Sequence, residues 1–108
     1  MAERRKFSRI ATDQVMSFAH VDASDQLAVS KDLSAGGIRF EAVGCEIGLG
    51  DVLRVTFNVG EQTVTTVGRV VRATEVDPIT LDIGIEFMEI DPMDLRLLEE
   101  SSEAIPSI

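Results

Sequence analysis

Alternation of apolar and polar side chains is the clearest pattern along the chain. It is most regular at residues 81–88 and recurs at residues 52–59. Its apolar positions are Leu81, Ile83, Ile85 and Phe87 in the first segment, and Leu53, Val55, Phe57 and Val59 in the second. A period of two residues predicts β-strands with one buried face, because successive side chains of a strand point to opposite sides.

Turn residues divide the chain into about six such strands. Gly60-Glu61 joins residues 52–59 to a Thr- and Val-rich strand at 63–73, and Asp77-Pro78 precedes a strand at 80–88. Gly68 predicts a bulge or bend that would let a sheet curl. Upstream, residues 15–21, 27–33 and 37–42 read as three more strands, joined by turns at 22–26 and 34–37.

Connections this short favour antiparallel neighbours, because parallel strands need long crossovers. Six strands with one apolar face predict an all-β fold, a six-stranded antiparallel β-barrel that is closed or nearly closed. Asp91 can cap a short C-terminal α-helix with Pro92 at its first position, and Leu95 and Leu98, beside Met93 and Leu97, would face the barrel. We expect one domain over residues 1–108: a flexible Arg-rich arm at 1–10, the barrel at 11–90, the helix at 91–101 and a frayed tail at 102–108.

Composition is that of a soluble globular protein. The 108 residues are 44% hydrophobic and 27% charged, with neither an apolar run long enough to cross a membrane nor a signal sequence. We therefore expect a cytoplasmic protein without membrane insertion. A single cysteine, Cys45, cannot form an intrachain disulfide, which agrees with a reducing compartment.

The charge is unevenly distributed along the chain. The net charge is −9, yet residues 1–9 hold four basic side chains against Glu3 and carry +3, so the remaining 99 residues carry −12. An acidic body argues against binding a nucleic acid polymer through its phosphates. A compact basic segment suits a small anion, and a solvated basic tail is the alternative.

Two motifs suggest the chemistry. Arg5-x-x-x-Arg9 offers guanidinium groups for phosphates or guanine edges, and Asp32-x-Ser34-x-x-Gly37 offers a carboxylate, a hydroxyl and a glycine that permits close approach. Asp, Ser and Gly are also standard turn residues, so the second motif alone is compatible with a tight turn.

The order and spacing of these motifs resemble the PilZ domain, the bacterial receptor module for cyclic di-GMP. The resemblance covers nearly the whole chain and includes further segments at 67–72, 84–87 and 91–92. It implies a six-stranded antiparallel barrel that the Arg-rich segment crosses, and a ligand, cyclic di-GMP, without any other cofactor. Its implied contacts are Arg5 and Arg9 to phosphate or guanine, Asp32 to the guanine N–H donors, Ser34 through its hydroxyl, and Gly37, with Gly36, where backbone approaches the ligand.

Arg4 directly precedes the first motif, and in this family an arginine there suggests an intercalated cyclic di-GMP dimer; one more solvated charge is the alternative. Three other arginines are weaker candidates. Arg39 could contact the rim of the site, and we expect Arg69 and Arg72 to be exposed to solvent. His20 and Cys45 are expected to be packed or surface residues.

Catalysis is not expected, because the sequence holds no metal-ligand cluster, nucleophile elbow or phosphate-binding glycine loop. The favoured function is a stand-alone cyclic di-GMP receptor whose arm changes conformation on binding and signals to an unknown partner protein. The alternatives are a PilZ-like adaptor that binds a protein and no nucleotide, and a small barrel that binds single-stranded nucleic acid. The latter needs stacking aromatics, yet the chain has five Phe and no Trp or Tyr.

Overall fold

The structure, a computed structural model, describes residues 14–103. Six strands and one helix follow each other in chain order: β1 (Val15–His20), β2 (Gln26–Ser34), β3 (Gly37–Val43), β4 (Val52–Val59), β5 (Gln62–Asp77), β6 (Thr80–Glu89) and α1 (Pro92–Glu103). All neighbouring strands are antiparallel and form a closed barrel in the order β1-β2-β3-β6-β5-β4. The predicted six-stranded barrel with a short C-terminal helix is confirmed.

The barrel interior is filled by the apolar side of each strand, as the alternation predicts. Within residues 14–103, the largest of the almost completely buried side chains are Phe40, Leu53, Val55, Val64, Val70, Ile83 and Leu98. The rings of Phe18 and Phe40 lie 4.8 Å apart between centroids. Each buried aliphatic or aromatic side chain contributes about 1.5–3 kcal/mol, so this interior is the main source of stability.

Strand β5 is longer than the sequence predicts. The predicted end at residue 73 is wrong, because β5 continues to Asp77 and pairs with β6 up to Asp77 opposite Thr80. Hydrogen bonding to β6 therefore outweighs the weak strand signal of residues 74–77. The bulge predicted at Gly68 is confirmed by a shift of register between Val67 and Gly68.

Helix α1 begins where the sequence predicts. The Asp91 carboxylate accepts a hydrogen bond of 2.8 Å from the backbone N–H of Met93, which is the expected cap with Pro92 at the first helical position. Leu98 is completely buried against the barrel, whereas Met93 is 72% exposed and does not contribute to the packed face. The helix continues to Glu103, two residues beyond the predicted end at 101.

An exposed contact ties the loop before β4 to the end of β1. Asp51 Oδ2 accepts a 2.9 Å hydrogen bond from the Gly48 N–H and lies 2.9 Å from His20 Nε2. These two contacts, the Gly48 N–H first, lower the pKa of the Asp51 carboxyl. His20 is thus a surface residue, as expected.

We expect Asp51→Asn to lower the melting temperature slightly at neutral pH. A lowered carboxyl pKa stabilises the fold above the pKa of the unfolded chain, and this contribution disappears as the pH falls through the lowered value. The difference between wild type and variant should therefore shrink as the pH falls below 3.8, the ordinary pKa of an aspartate. Thermal unfolding followed by circular dichroism across this range tests it, with Asp22→Asn in the nearby turn as the control; a difference that does not change with pH would contradict it.

Candidate functional site

The turn between β2 and β3 brings the Asp-x-Ser-x-x-Gly motif onto the outer face of the barrel. Asp32 pairs in register with Arg39, and Ser34 pairs with Gly37. The Ser34 hydroxyl accepts a 3.2 Å hydrogen bond from the Gly36 N–H, and the Gly36 carbonyl accepts one of 3.0 Å from the Phe87 N–H of β6. The turn is therefore fixed to both its own strand and the neighbouring one.

A bulge at Lys31 places Asp32 on this outer face. Ser30 and Asp32 are two residues apart, so in a regular strand both side chains would point to the same side. The register shifts between them, so Ser30 is buried inside while Asp32 is partly exposed outside, followed by the buried Leu33. Nothing in the sequence singled out this bulge, although the carboxylate depends on it for its position.

Gly37 stands where β3 comes closest to β6. A Cβ atom at this position would overlap the backbone carbonyl oxygen of Ile85. Gly68 approaches the same stretch of β6 from β5, where a Cβ would overlap the Ile85 side chain and lie 2.8 Å from the Glu86 carbonyl oxygen. Close packing against β6 therefore explains why both positions are glycine. An approach of Gly37 to a ligand stays a prediction.

Four charged side chains form one connected network beside the motif. Arg39 Nη1 lies 3.2 Å from Asp32 Oδ2, and Arg39 Nε lies 3.3 Å from Asp82 Oδ1. Arg72 Nη2 lies 3.2 Å from the other oxygen of Asp82. The network is electrically balanced, and its members come from β2, β3, β6 and β5.

The central contact of this network is an ion pair without a well-aligned hydrogen bond. Arg39 Nε and Asp82 Oδ1 are both buried and neither has a hydrogen-bond partner among residues 14–103, although the two atoms are 3.3 Å apart. We regard the contact as electrostatic, since a hydrogen bond needs alignment as well as proximity. The Asp82 side chain is only 14% exposed, and the two arginines compensate its negative charge there.

Gly84 allows the two arginines to converge. It lies between Arg39 and Arg72 in register, and a Cβ there would be 3.1 Å from the Arg72 Cβ, which is closer than such atoms normally come. The stem of Arg72 can therefore lie over Gly84 toward Asp82. Strand β5 has a further bulge between Val70 and Arg72, beyond the one at Gly68. Arg69 and Arg72 are both exposed to solvent, as the sequence predicts.

The family comparison decides the identity of the domain. The family model described as PilZ domain matches residues 3–104. The chain belongs to the PilZ domain family. The resemblance noted from the sequence motifs is therefore confirmed.

Solved structures with the same fold agree with this membership. This PilZ domain is similar to Bacillus subtilis MotI/DgrA, an inhibitor of motility, with 23% identity, a TM-score of 0.76, and coverage of 94% of this chain and 51% of that one. It is similar to the PilZ domain of Escherichia coli YcgR with c-di-GMP, with 21% identity and a TM-score of 0.69. That match covers 94% of this chain and 92% of the YcgR chain. It is also similar to the K. pneumonia MrkH complex with c-di-GMP, with 18% identity and a TM-score of 0.70. That match covers 92% of this chain and 50% of the MrkH chain.

The chain thus spans about half of MotI/DgrA and MrkH, but nearly all of the YcgR PilZ domain. Among the curated proteins, none matches this sequence. Within residues 14–103 of this PilZ domain, no group of side chains could hold a metal ion. No helix within the same range is long and apolar enough to cross a membrane.

The sequence-predicted site residues divide into two sets. The structure brings together Asp32, Ser34, Gly36 and Gly37 where β2 turns into β3, whereas Arg4, Arg5 and Arg9 lie outside the described residues. Arg39, the weaker candidate, contacts Asp32 directly. Sequence reasoning missed Asp82, because an outward-facing aspartate in an alternating strand carries no signal of its own.

Cys45 has no part in this site. Its thiol donates a hydrogen bond of 2.7 Å to the side-chain oxygen of Gln26, and burial raises its pKa. A raised thiol pKa lowers the fraction of thiolate, the form in which a cysteine acts as a nucleophile.

Proposed function

We propose that this PilZ domain is a receptor for cyclic di-GMP. The observation that supports this best is the grouping of Asp32, Ser34 and Gly37 on the outer face of β2 and β3, where a carboxylate and a hydroxyl adjoin a glycine. The YcgR and MrkH structures, described as complexes with c-di-GMP, support the choice of ligand.

The described chain starts beside this face. The Gln14 carbonyl accepts hydrogen bonds from the N–H and the hydroxyl of Ser30, two residues before Asp32. Arg9 is five positions before Gln14, so covalent geometry allows its Cα atom to lie anywhere within about 18 Å of that of Gln14. The basic arm is therefore tethered within reach of the motif.

In this proposal the arginines of the arm and the residues of the Asp-x-Ser-x-x-Gly motif bind different groups of the nucleotide. Arg5 and Arg9 form charge-assisted hydrogen bonds to the phosphates or to guanine O6 and N7, for which guanidinium groups are suited. Asp32 accepts from the guanine ring N–H and amino group, and Ser34 adds a hydroxyl contact. Gly36 and Gly37 leave room for the ligand against the backbone.

The signal would leave through the arm. Binding that draws residues 1–10 onto the barrel changes the surface offered to a partner protein, and the ligand's preference for the closed arrangement supplies the free energy. The acidic body makes the arm the main cationic segment of the chain, so neutralising it with a nucleotide alters the charge a partner meets.

Calorimetric titration of the chain with cyclic di-GMP tests this function. We expect saturable binding with two ligands per chain, because Arg4 would add a third guanidinium for the second copy of an intercalated dimer. In Arg4→Ala the stoichiometry should fall to one. One ligand per wild-type chain would contradict the dimer alone, whereas no heat would contradict the receptor and favour the protein-binding adaptor. Displacement by an oligonucleotide would instead favour single-stranded nucleic acid.

A further inference from the structure

We propose that Arg39 and Asp82 are positioning residues that orient the Asp32 carboxylate, and that they thereby set a preference for guanine over adenine in the bound dinucleotide. This inference rests on the proposed cyclic di-GMP site. Neither residue belongs to the Arg-x-x-x-Arg or Asp-x-Ser-x-x-Gly motif. It is the network on the outer face that links them to the site.

The geometry connects Asp82 to Asp32 through one side chain. Arg39 is held between two carboxylates, with Nη1 at 3.2 Å from Asp32 and Nε at 3.3 Å from Asp82. Because the guanidinium is planar and rigid, fixing its Nε edge also fixes the direction of Nη1. Asp82 is anchored in turn by Arg72 at 3.2 Å and by its burial. The carboxylate of Asp32 therefore meets a donor whose position is set from β6.

The central pair does not look optimised for stability. Arg39 Nε and Asp82 Oδ1 are buried polar atoms without a hydrogen-bond partner in the described part of the chain, and such atoms in a native protein call for an explanation. A partly buried ion pair adds little net stability, because the cost of desolvating its charges offsets much of their attraction, so stability alone is a weak reason to keep this one. Orienting Asp32 supplies such a reason. The direction of the Asp32 carboxylate depends on where the Arg39 guanidinium lies, and not on how strongly Asp82 binds Arg39.

The direction of the Asp32 carboxylate matters because the two purines differ on their pairing edge. Guanine presents two adjacent donors there, its ring N–H and its amino group, which a carboxylate can accept together. Adenine presents a ring nitrogen acceptor, which repels a carboxylate, beside its amino group. Each carboxylate oxygen has two lone pairs, so Asp32 can keep Arg39 and accept from guanine at the same time. A carboxylate free to rotate would discriminate less.

The ratio of the dissociation constants for cyclic di-AMP and cyclic di-GMP tests this proposal. Both ligands carry the same phosphates, so a change of protein charge affects both alike and cancels in the ratio. Competition against a labelled cyclic di-GMP gives both constants. We expect the ratio to fall about tenfold in Arg39→Ala and in Asp82→Asn, which corresponds to about 1.4 kcal/mol. In Arg39→Lys it should also fall, because an ammonium group cannot hold both carboxylates in one plane.

A double variant separates positioning from a structural effect. If Asp82 acts through Arg39, then Asp82→Asn should not change the ratio further once Arg39 is alanine. The matched control is the ion pair of Arg54 and Asp25, whose charged atoms are 3.0 Å apart. Arg54 lies on β4, the strand opposite β3 in the barrel. Arg54→Ala and Asp25→Asn should leave the ratio unchanged. Thermal unfolding verifies that each variant is folded, and the isosteric Asp82→Asn provides the result if Arg39→Ala does not fold.

An unchanged ratio in folded Asp82→Asn, with cyclic di-GMP still bound, would overturn this inference and leave the proposed receptor function standing. Equal losses of both ligands would overturn it in the same way, since they would show a general electrostatic effect. If the wild-type chain binds neither dinucleotide, the receptor function and this inference are both overturned.

Discussion

Replacement of Arg9 by alanine is expected to weaken cyclic di-GMP binding by at least about 30-fold, because losing a charge-assisted hydrogen bond to a desolvated phosphate costs about 2 kcal/mol or more. The same loss is expected for Arg5→Ala. Both arginines belong to the basic arm and, in the proposed site, contact a ligand that the acidic barrel alone would repel. Isothermal titration at fixed ionic strength measures the change.

Arg54→Ala is the control for this loss of charge. Arg54 lies on β4, where it contacts Asp25 on the side of the barrel opposite β3, and it should change the affinity only slightly. If Arg9→Ala and Arg54→Ala weaken binding equally, the arm acts merely through net charge, and specific contacts by Arg9 are ruled out. Arg9→Lys refines the test, since an ammonium group keeps the charge but not the bidentate geometry.

Replacement of Gly37 by alanine is expected to destabilise the fold by about 3 kcal/mol or more, at the upper end of what forcing extra atoms into a packed site costs. The new methyl group would overlap the Ile85 carbonyl oxygen, which is backbone and cannot turn aside. Strands β3 and β6 would have to separate where the β2–β3 turn is bonded to Phe87. Denaturant unfolding measures the free energy directly.

Gly48→Ala is the matched control. A Cβ at Gly48 has only the Asp51 carboxylate nearby, at 3.9 Å, so the methyl group fits. The free energy of unfolding should change by less than about 1 kcal/mol, and an increase is possible because alanine restricts the unfolded chain. Similar stability of Gly37→Ala and the wild type would mean that β3 and β6 are less closely packed than the structure has them.

The alternating segments predicted much of the barrel because burial on one face of a strand leaves a pattern that a single sequence records. Strands β4 and β6 follow that pattern, with inward side chains such as Val55 and Ile83 buried. The bulge at Gly68 and the Asp91 cap were also predictable, since each depends on a residue type with a specific backbone preference.

Features set by pairing between distant strands were not predictable. The bulge at Lys31, which turns Asp32 outward, is a matter of register between β2 and β3, and Lys31 itself has no preference for it. The extension of β5 to Asp77 depends on partners in β6. The contact between Arg39 and Asp82 joins residues 43 positions apart, so no local pattern indicates it.

Strand pairing in the barrel also determines which part of the protein loses conformational entropy when a ligand binds. Asp32 and Ser34 are paired with β3, and Gly37 is paired with both β2 and β6, so much of their backbone conformational entropy is lost when the protein folds and not when a ligand arrives. If the proposed arm of residues 1–10 closes on the ligand, an ordering cost at binding would fall on that arm. Shortening or stiffening the arm should consequently change the affinity through entropy, while the heat released by the contacts on the barrel stays nearly constant.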